Sequence, residues 1–127
     1  MTRFLLICLA GAAGTGARYL VALGSARLLG PTFPFGTITV NVVGSFLLAT
    51  ITVLGLEAGA ISPDARVVLA VGVMGGFTTY SSFNQETLGF LQRGAVFQAI
   101  GYLAVTFTGC LAAGALGTVA ARWMSGV

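Results

Sequence analysis

Charge is what this chain has least of. Only 7% of its 127 residues are Asp, Glu, Lys or Arg, whereas soluble domains carry about 25%, and so few charges cannot cover a water-facing surface. Lysine and histidine are absent, and the six positive residues, Arg3, Arg18, Arg27, Arg66, Arg93 and Arg122, are spread singly along the chain. Scattered arginines form no basic patch, so the formal net charge of +3 does not point to a nucleic-acid partner. The three acids, Glu57, Asp64 and Glu86, are too dispersed to suggest a transition-metal site. The two cysteines, Cys8 and Cys110, sit in apolar runs and read as small packing residues rather than a disulfide. No nucleophile–base pair and no phosphate-binding loop is present, so the chain is not expected to be an enzyme.

Apolar sequence fills the space that charge leaves. Hydrophobic residues make up 57% of the chain and the mean hydropathy is +0.99. Four windows are almost free of charge, at about 4–23, 35–56, 65–90 and 95–121, and each meets the roughly 20-residue length that crosses a bilayer as a helix. The first window follows Arg3 and contains Ala10-Gly11-Ala12, features shared with cleaved signal peptides. Its apolar run exceeds the roughly 7–15 residues of a signal core, so a membrane span is the preferred reading. The expectation is a single all-α membrane domain over 1–127 with four transmembrane helices.

Punctuation marks the boundaries. Gly30-Pro31-Thr32-Phe33-Pro34 cannot continue a helix, because proline lacks an N–H and biases its predecessor away from helical dihedrals. Ser62-Pro63-Asp64 combines a capping residue, a proline at the first helical position and an acid at the positive helix end, and it opens the third span. Arg93-Gly94 closes that span. Inside it, residues 75–83 read Gly-Gly-Phe-Thr-Thr-Tyr-Ser-Ser-Phe. Hydrocarbon tolerates an irregular polar segment only where protein buries it or it lines a wet cavity. A break in the third helix is therefore expected, and with it a site where something small binds or passes.

The arginines are balanced between the two ends of a four-span bundle. Arg3, Arg66 and Arg122 fall on the side of the termini, Arg27 and Arg93 on the other, with Arg18 near the end of the first span. Orientation follows an excess of positive residues in the loops of one side. Without that excess, both orientations are expected, and an antiparallel homodimer is the natural assembly.

Polar residues within the spans form stripes. Thr37, Asn41 and Ser45 recur every four residues on the second span, and Tyr102, Thr106 and Cys110 on the fourth. Such faces either line a path or hydrogen-bond between helices. Asn41 is the stronger candidate for a path, since its amide can present two N–H donors to an anion. Glu86 is a functional candidate because a carboxylate is costly in mid-membrane, although Arg93 lies near enough in sequence for a structural pairing. Arg18 either concentrates anions at a vestibule or snorkels to the headgroups. Small residues at four-residue spacing, Gly72 with Gly76 and Gly109 with Ala113 and Gly117, mark close helix contacts.

The block Gly75–Phe83 followed by Glu86, together with Gly36-Thr37 and Val40-Asn41 on the second span and Gly16-Ala17-Arg18-Tyr19 on the first, closely resembles the Fluc (CrcB) family of bacterial fluoride channels. The resemblance covers the whole chain in span count and motif order. It implies an antiparallel, dual-topology dimer with two fluoride pores and a central structural sodium ion held by backbone carbonyls of Gly75 and Thr78. It also implies that Asn41 coordinates fluoride, that Tyr80 and Phe83 are the pore aromatics, that Thr37, Tyr102 and Thr106 lie on the polar track, and that Arg18 is the vestibule arginine. Two residues depart from the family pattern: Tyr80 stands where phenylalanine is usual, and Cys110 where serine is common.

Fluoride chemistry suits these residue types. The ion is small and strongly hydrated, so a dry pore must replace its water shell with amide and hydroxyl donors, while aromatic ring edges favour an anion without trapping it. The expected function is passive fluoride export across the bacterial cytoplasmic membrane, which relieves fluoride toxicity. The alternative is a small dual-topology proton-coupled transporter of the multidrug type, for which Glu86 is the only available carboxylate.

Overall fold

A computed structural model describes all residues, Met1–Val127, and contains helices and no strands. Helix α1 spans Thr2–Leu29 and α2 spans Phe35–Leu56. The third column is built from pieces: α3 at Pro63–Val67, a π-helical stretch at Val68–Met74, α4 at Gly75–Phe77 and α5 at Tyr80–Gln92. Helix α6 spans Val96–Ser125. Three helices, α1, α2 and α6, are long and apolar enough to cross a membrane.

The helix ends follow from their residues. Gly30 closes α1 with φ 85°, a left-handed conformation that suits glycine, and Pro31 prevents any continuation. Ser62 accepts a hydrogen bond from the Ala65 N–H at 3.3 Å, with Pro63 in the first turn. Helix α1 runs on past residue 23 until it meets Gly30, so Arg18 lies about three turns inside the helix rather than near its end.

Helices α2 and α6 both start at the end opposite the termini, and so they run parallel. Their backbones approach closely because glycine faces them: a methyl group at Gly117 would overlap the Phe46 carbonyl, and one at Gly109 would lie 3.1 Å from a Val42 methyl. Thr50 adds a hydrogen bond across the pair, donating to the Gly117 carbonyl at 3.3 Å. On the other flank, α1 packs against the π-helical stretch, where a methyl at Gly72 would press on Ala10 and the Ile7 carbonyl, and one at Gly76 on the Gly11 carbonyl. In a setting without a hydrophobic drive between helices, such small-residue contacts supply the packing.

The core is small, and large apolar side chains cover the outside. Phe97 is 92% exposed and Leu28, Leu111 and Leu116 are also exposed, a distribution that suits a hydrocarbon surrounding rather than water. The external acids sit at one end, where Arg3 meets Asp64 at 3.4 Å and Arg122 meets Glu57 at 2.8 Å. At the other end Arg27 and Arg93 have no acid within ion-pair distance.

Candidate functional site

The third column is interrupted where the polar block begins. Helix α4 stops at Phe77, and the next two residues are extended, Thr78 at φ −82° and ψ 160° and Thr79 at φ −153° and ψ 109°. Helix α5 then starts at Tyr80, capped by Thr79, whose hydroxyl oxygen accepts from the Ser82 N–H at 3.2 Å and whose hydroxyl donates to the Ser82 side chain at 2.9 Å. The Thr78 methyl fits against α2 only because residue 44 is glycine, since a Cβ at Gly44 would overlap it.

Asn41 stitches this interruption to α2. Its Oδ1 accepts from the Thr79 N–H at 2.8 Å, and its Nδ2 donates to the Thr79 carbonyl at 3.0 Å. The amide thus satisfies both backbone groups of one extended residue and keeps one N–H free. Two carbonyls lose their usual partners in the process. In an unbroken helix the Gly75 carbonyl would receive the Thr79 N–H and the Thr78 carbonyl the Ser82 N–H, but those donors are taken by Asn41 and by the Thr79 hydroxyl. Gly75 and Thr78 therefore present acceptors suited to a hard cation. The residues present fit the sodium site that the family resemblance implies.

The stripes on α2 and α6 face each other at three levels, about 6 Å apart in depth because four helical residues rise that far. At the first level Glu86 is held between the helices: Thr37 donates to Oε1 at 2.8 Å and the Tyr102 hydroxyl donates to Oε2 at 2.5 Å. Tyr102 is 0% exposed, and its ring lies among Phe33, Phe83 and Phe90 at centroid distances of 5.6, 5.1 and 5.9 Å. Glu86 takes these bonds and forms none with Arg93, whose guanidinium stacks 5.3 Å above the Phe90 ring.

A cavity of about 580 Å³ opens at this level towards the Gly30–Pro34 loop and is lined by Thr37, Glu86, Phe90 and Arg93. Arg18 does not line it. The positive charge at this mouth is Arg93, which shares the wall with the Glu86 carboxylate and which in the sequence marks only the close of the third span.

Behind the first level lies a second cavity of about 440 Å³, lined by Asn41, Tyr80, Phe83, Thr106 and Cys110 among others. Thr106 is 4% exposed and its hydroxyl has no hydrogen-bond partner. A buried hydroxyl without a partner costs about 1–3 kcal/mol, so an acceptor that reached it would be stabilised. At the third level Ser45 donates to the Asn41 carbonyl at 2.7 Å, opposite the half-buried Cys110. The Tyr80 and Phe83 rings meet at a tilt of 55° with centroids 6.0 Å apart. Phe83 is half-buried, but Tyr80 is 78% exposed on the outside of the chain.

The structure thus joins Thr37, Glu86 and Tyr102 in one network and brings Asn41, Phe83, Thr106 and Cys110 to one cavity. Arg18 stands apart from both.

Comparison with known proteins is consistent in direction. Residues 5–118 match the family described as CrcB-like protein, Camphor Resistance (CrcB). A protein of Anaeromyxobacter dehalogenans named fluoride-specific ion channel FluC is 54% identical over 126 residues, covering 99% of this chain and 100% of the relative. Proteins of the same name are 46% identical over 122 residues in Sorangium cellulosum, covering 96% of each chain, and 45% identical over 123 residues in Caulobacter vibrioides, covering 96% of this chain and 97% of the relative.

Proposed function

This chain belongs to the CrcB family, and from that premise we propose that it is a fluoride-selective channel that lets fluoride leave the cell down its electrochemical gradient. One observation carries the reading: the Thr106 hydroxyl is buried and unpartnered, and Thr106 lines one cavity with Phe83 and with Asn41, whose amide keeps one N–H free. Both groups are hydrogen-bond donors without an internal acceptor, which is what a dehydrated anion requires.

In this reading fluoride gathers at the mouth under the positive charge of Arg93 and sheds water against the first level, where Thr37 and Tyr102 hold Glu86 in place. It then passes the ring edge of Phe83, whose positive rim favours an anion, and meets the Asn41 amide and the Thr106 hydroxyl. Donors and ring edges of moderate strength let it move on, and conduction depends on that moderation.

The assembly we propose is an antiparallel homodimer in the bacterial cytoplasmic membrane. The exposed ring of Tyr80 and the open side of Gly75 support it, because both belong to the polar block yet face out of the single chain. A second, inverted copy covers them and brings two sets of Gly75 and Thr78 carbonyls together. Those carbonyls would hold the sodium ion, which would supply positive charge to acceptors that are otherwise costly in lipid. On this account sodium is a structural clamp, so fluoride flux should not respond to a sodium gradient.

Fluoride efflux from proteoliposomes, with potassium and valinomycin as the charge shunt, tests the proposal. Fast electrogenic efflux supports the channel. Slow exchange that depends on pH supports a proton-coupled transporter built on Glu86, and the absence of efflux overturns both.

A further inference from the structure

We propose that Cys110 is a covalent inhibition site for thiophilic reagents, because its sulfur lies on the wall of the fluoride path. The inference rests on the channel reading and goes beyond it. Cys110 is a free, half-buried thiol on α6 that lines the 440 Å³ cavity together with Asn41, Phe83 and Thr106. The second, independent observation is Thr106, one turn earlier on the same face, whose buried hydroxyl is unpartnered in that same cavity. An ion that satisfies Thr106 passes within about one helical turn of the sulfur. Leu48, Phe107 and Leu111 line the same cavity, and Ser45, the polar side chain opposite Cys110, already donates its hydroxyl to the Asn41 carbonyl.

Mercuric chloride is the suited probe, being small, neutral and selective for sulfur. The S–H bond of Cys110 and one Hg–Cl bond break, an S–Hg bond forms, and a proton and a chloride ion leave. No electrons are transferred. The product, a sulfur-bound HgCl group, occupies the space through which a much smaller ion must pass. Cys8 differs in position: it is exposed on α1 and lines neither of the two cavities on the path.

The experiment uses the Cys8→Ser protein in proteoliposomes, where Cys110 is the single thiol. Untreated efflux tests the channel reading by itself, and its absence would sink that reading without reference to Cys110. With mercuric chloride, efflux is expected to fall at least about tenfold, in step with the appearance of one mercury adduct by intact mass, and to return on addition of a small dithiol. Cys110→Ser, compared with its own untreated efflux, is expected to resist. An adduct that forms without loss of efflux, a thiol that stays unmodified, or inhibition that persists in Cys110→Ser each overturns the proposal. Should Cys110→Ser fail to assemble, the match between adduct formation and flux loss in Cys8→Ser decides alone.

Discussion

The first two levels of the polar face carry similar side chains in opposite conditions. At the first, Thr37, Glu86 and Tyr102 use one another, and the tyrosine hydroxyl is buried with its acceptor in place. At the second, one turn deeper, Asn41 spends most of its amide on Thr79 while Thr106 is buried with nothing to bond. A closed network contributes to folding, whereas an open one stores a binding preference at some cost in stability. In the proposed channel, the contrast separates the part of the polar face that holds the protein together from the part that would receive the ion.

Asn41 joins these two roles, so its replacement should have the largest effect. In Asn41→Asp the donor to the Thr79 carbonyl is lost and a negative charge enters the path. An ionised carboxylate at mid-span costs about 3 kcal/mol, which corresponds to roughly a hundredfold in rate, and liposome efflux should fall by at least that factor. At the first level, Tyr102→Phe removes one hydroxyl from a satisfied pair and leaves Glu86 short of a donor. Thermal unfolding in detergent should register a loss of about 1–3 kcal/mol.

Phe83→Ile keeps the bulk but removes the ring edge, and efflux should drop roughly two- to twelvefold, in proportion to an aromatic contribution of about 0.5–1.5 kcal/mol. The sharpest test deletes a hydroxyl at the second level. Thr106→Val should leave unfolding within about 0.5 kcal/mol of the parent, or raise it, while slowing efflux. If it destabilises the protein as much as Tyr102→Phe does, the two levels are alike and the contrast fails.

A surface ion pair gives the baseline. The hydrogen bond from Arg122 holds the Glu57 carboxyl below its ordinary value of 4.5. Its stabilisation is therefore complete above that pH and is lost as pH falls through the lowered value. The pair is exposed, so the acid-dependent shift in unfolding, and its absence in Glu57→Gln, should be the smallest of these effects.

Much of this could be read along the chain. Proline and glycine at 30–34 and 62–63 placed helix boundaries because they act through local backbone geometry, and the four-residue stripes placed the facing residues of α2 and α6 because helix periodicity is local too. What escaped was long-range. Nothing near Asn41 in sequence says that its amide pairs with Thr79, 38 residues away, or that Glu86 prefers Thr37 and Tyr102 to the nearby Arg93. The interruption itself was legible in its polar block, but the donors that leave the Gly75 and Thr78 carbonyls unmatched were visible only once the chain had folded. The end of the first helix escaped for a simpler reason: no residue between Gly24 and Gly30 stops α1, so the helix runs on and leaves Arg18 about three turns inside it.

The distribution of acids has an electrical consequence. A single chain has its ion pairs at one extremity and unneutralised guanidinium groups at the other, so ions would approach its two mouths at unequal rates and a lone subunit would rectify. Two copies in opposed directions place one mouth of each kind on either face. The current–voltage relation of such a pair in symmetric solutions should be odd about zero, indifferent to which way the assembly entered the membrane.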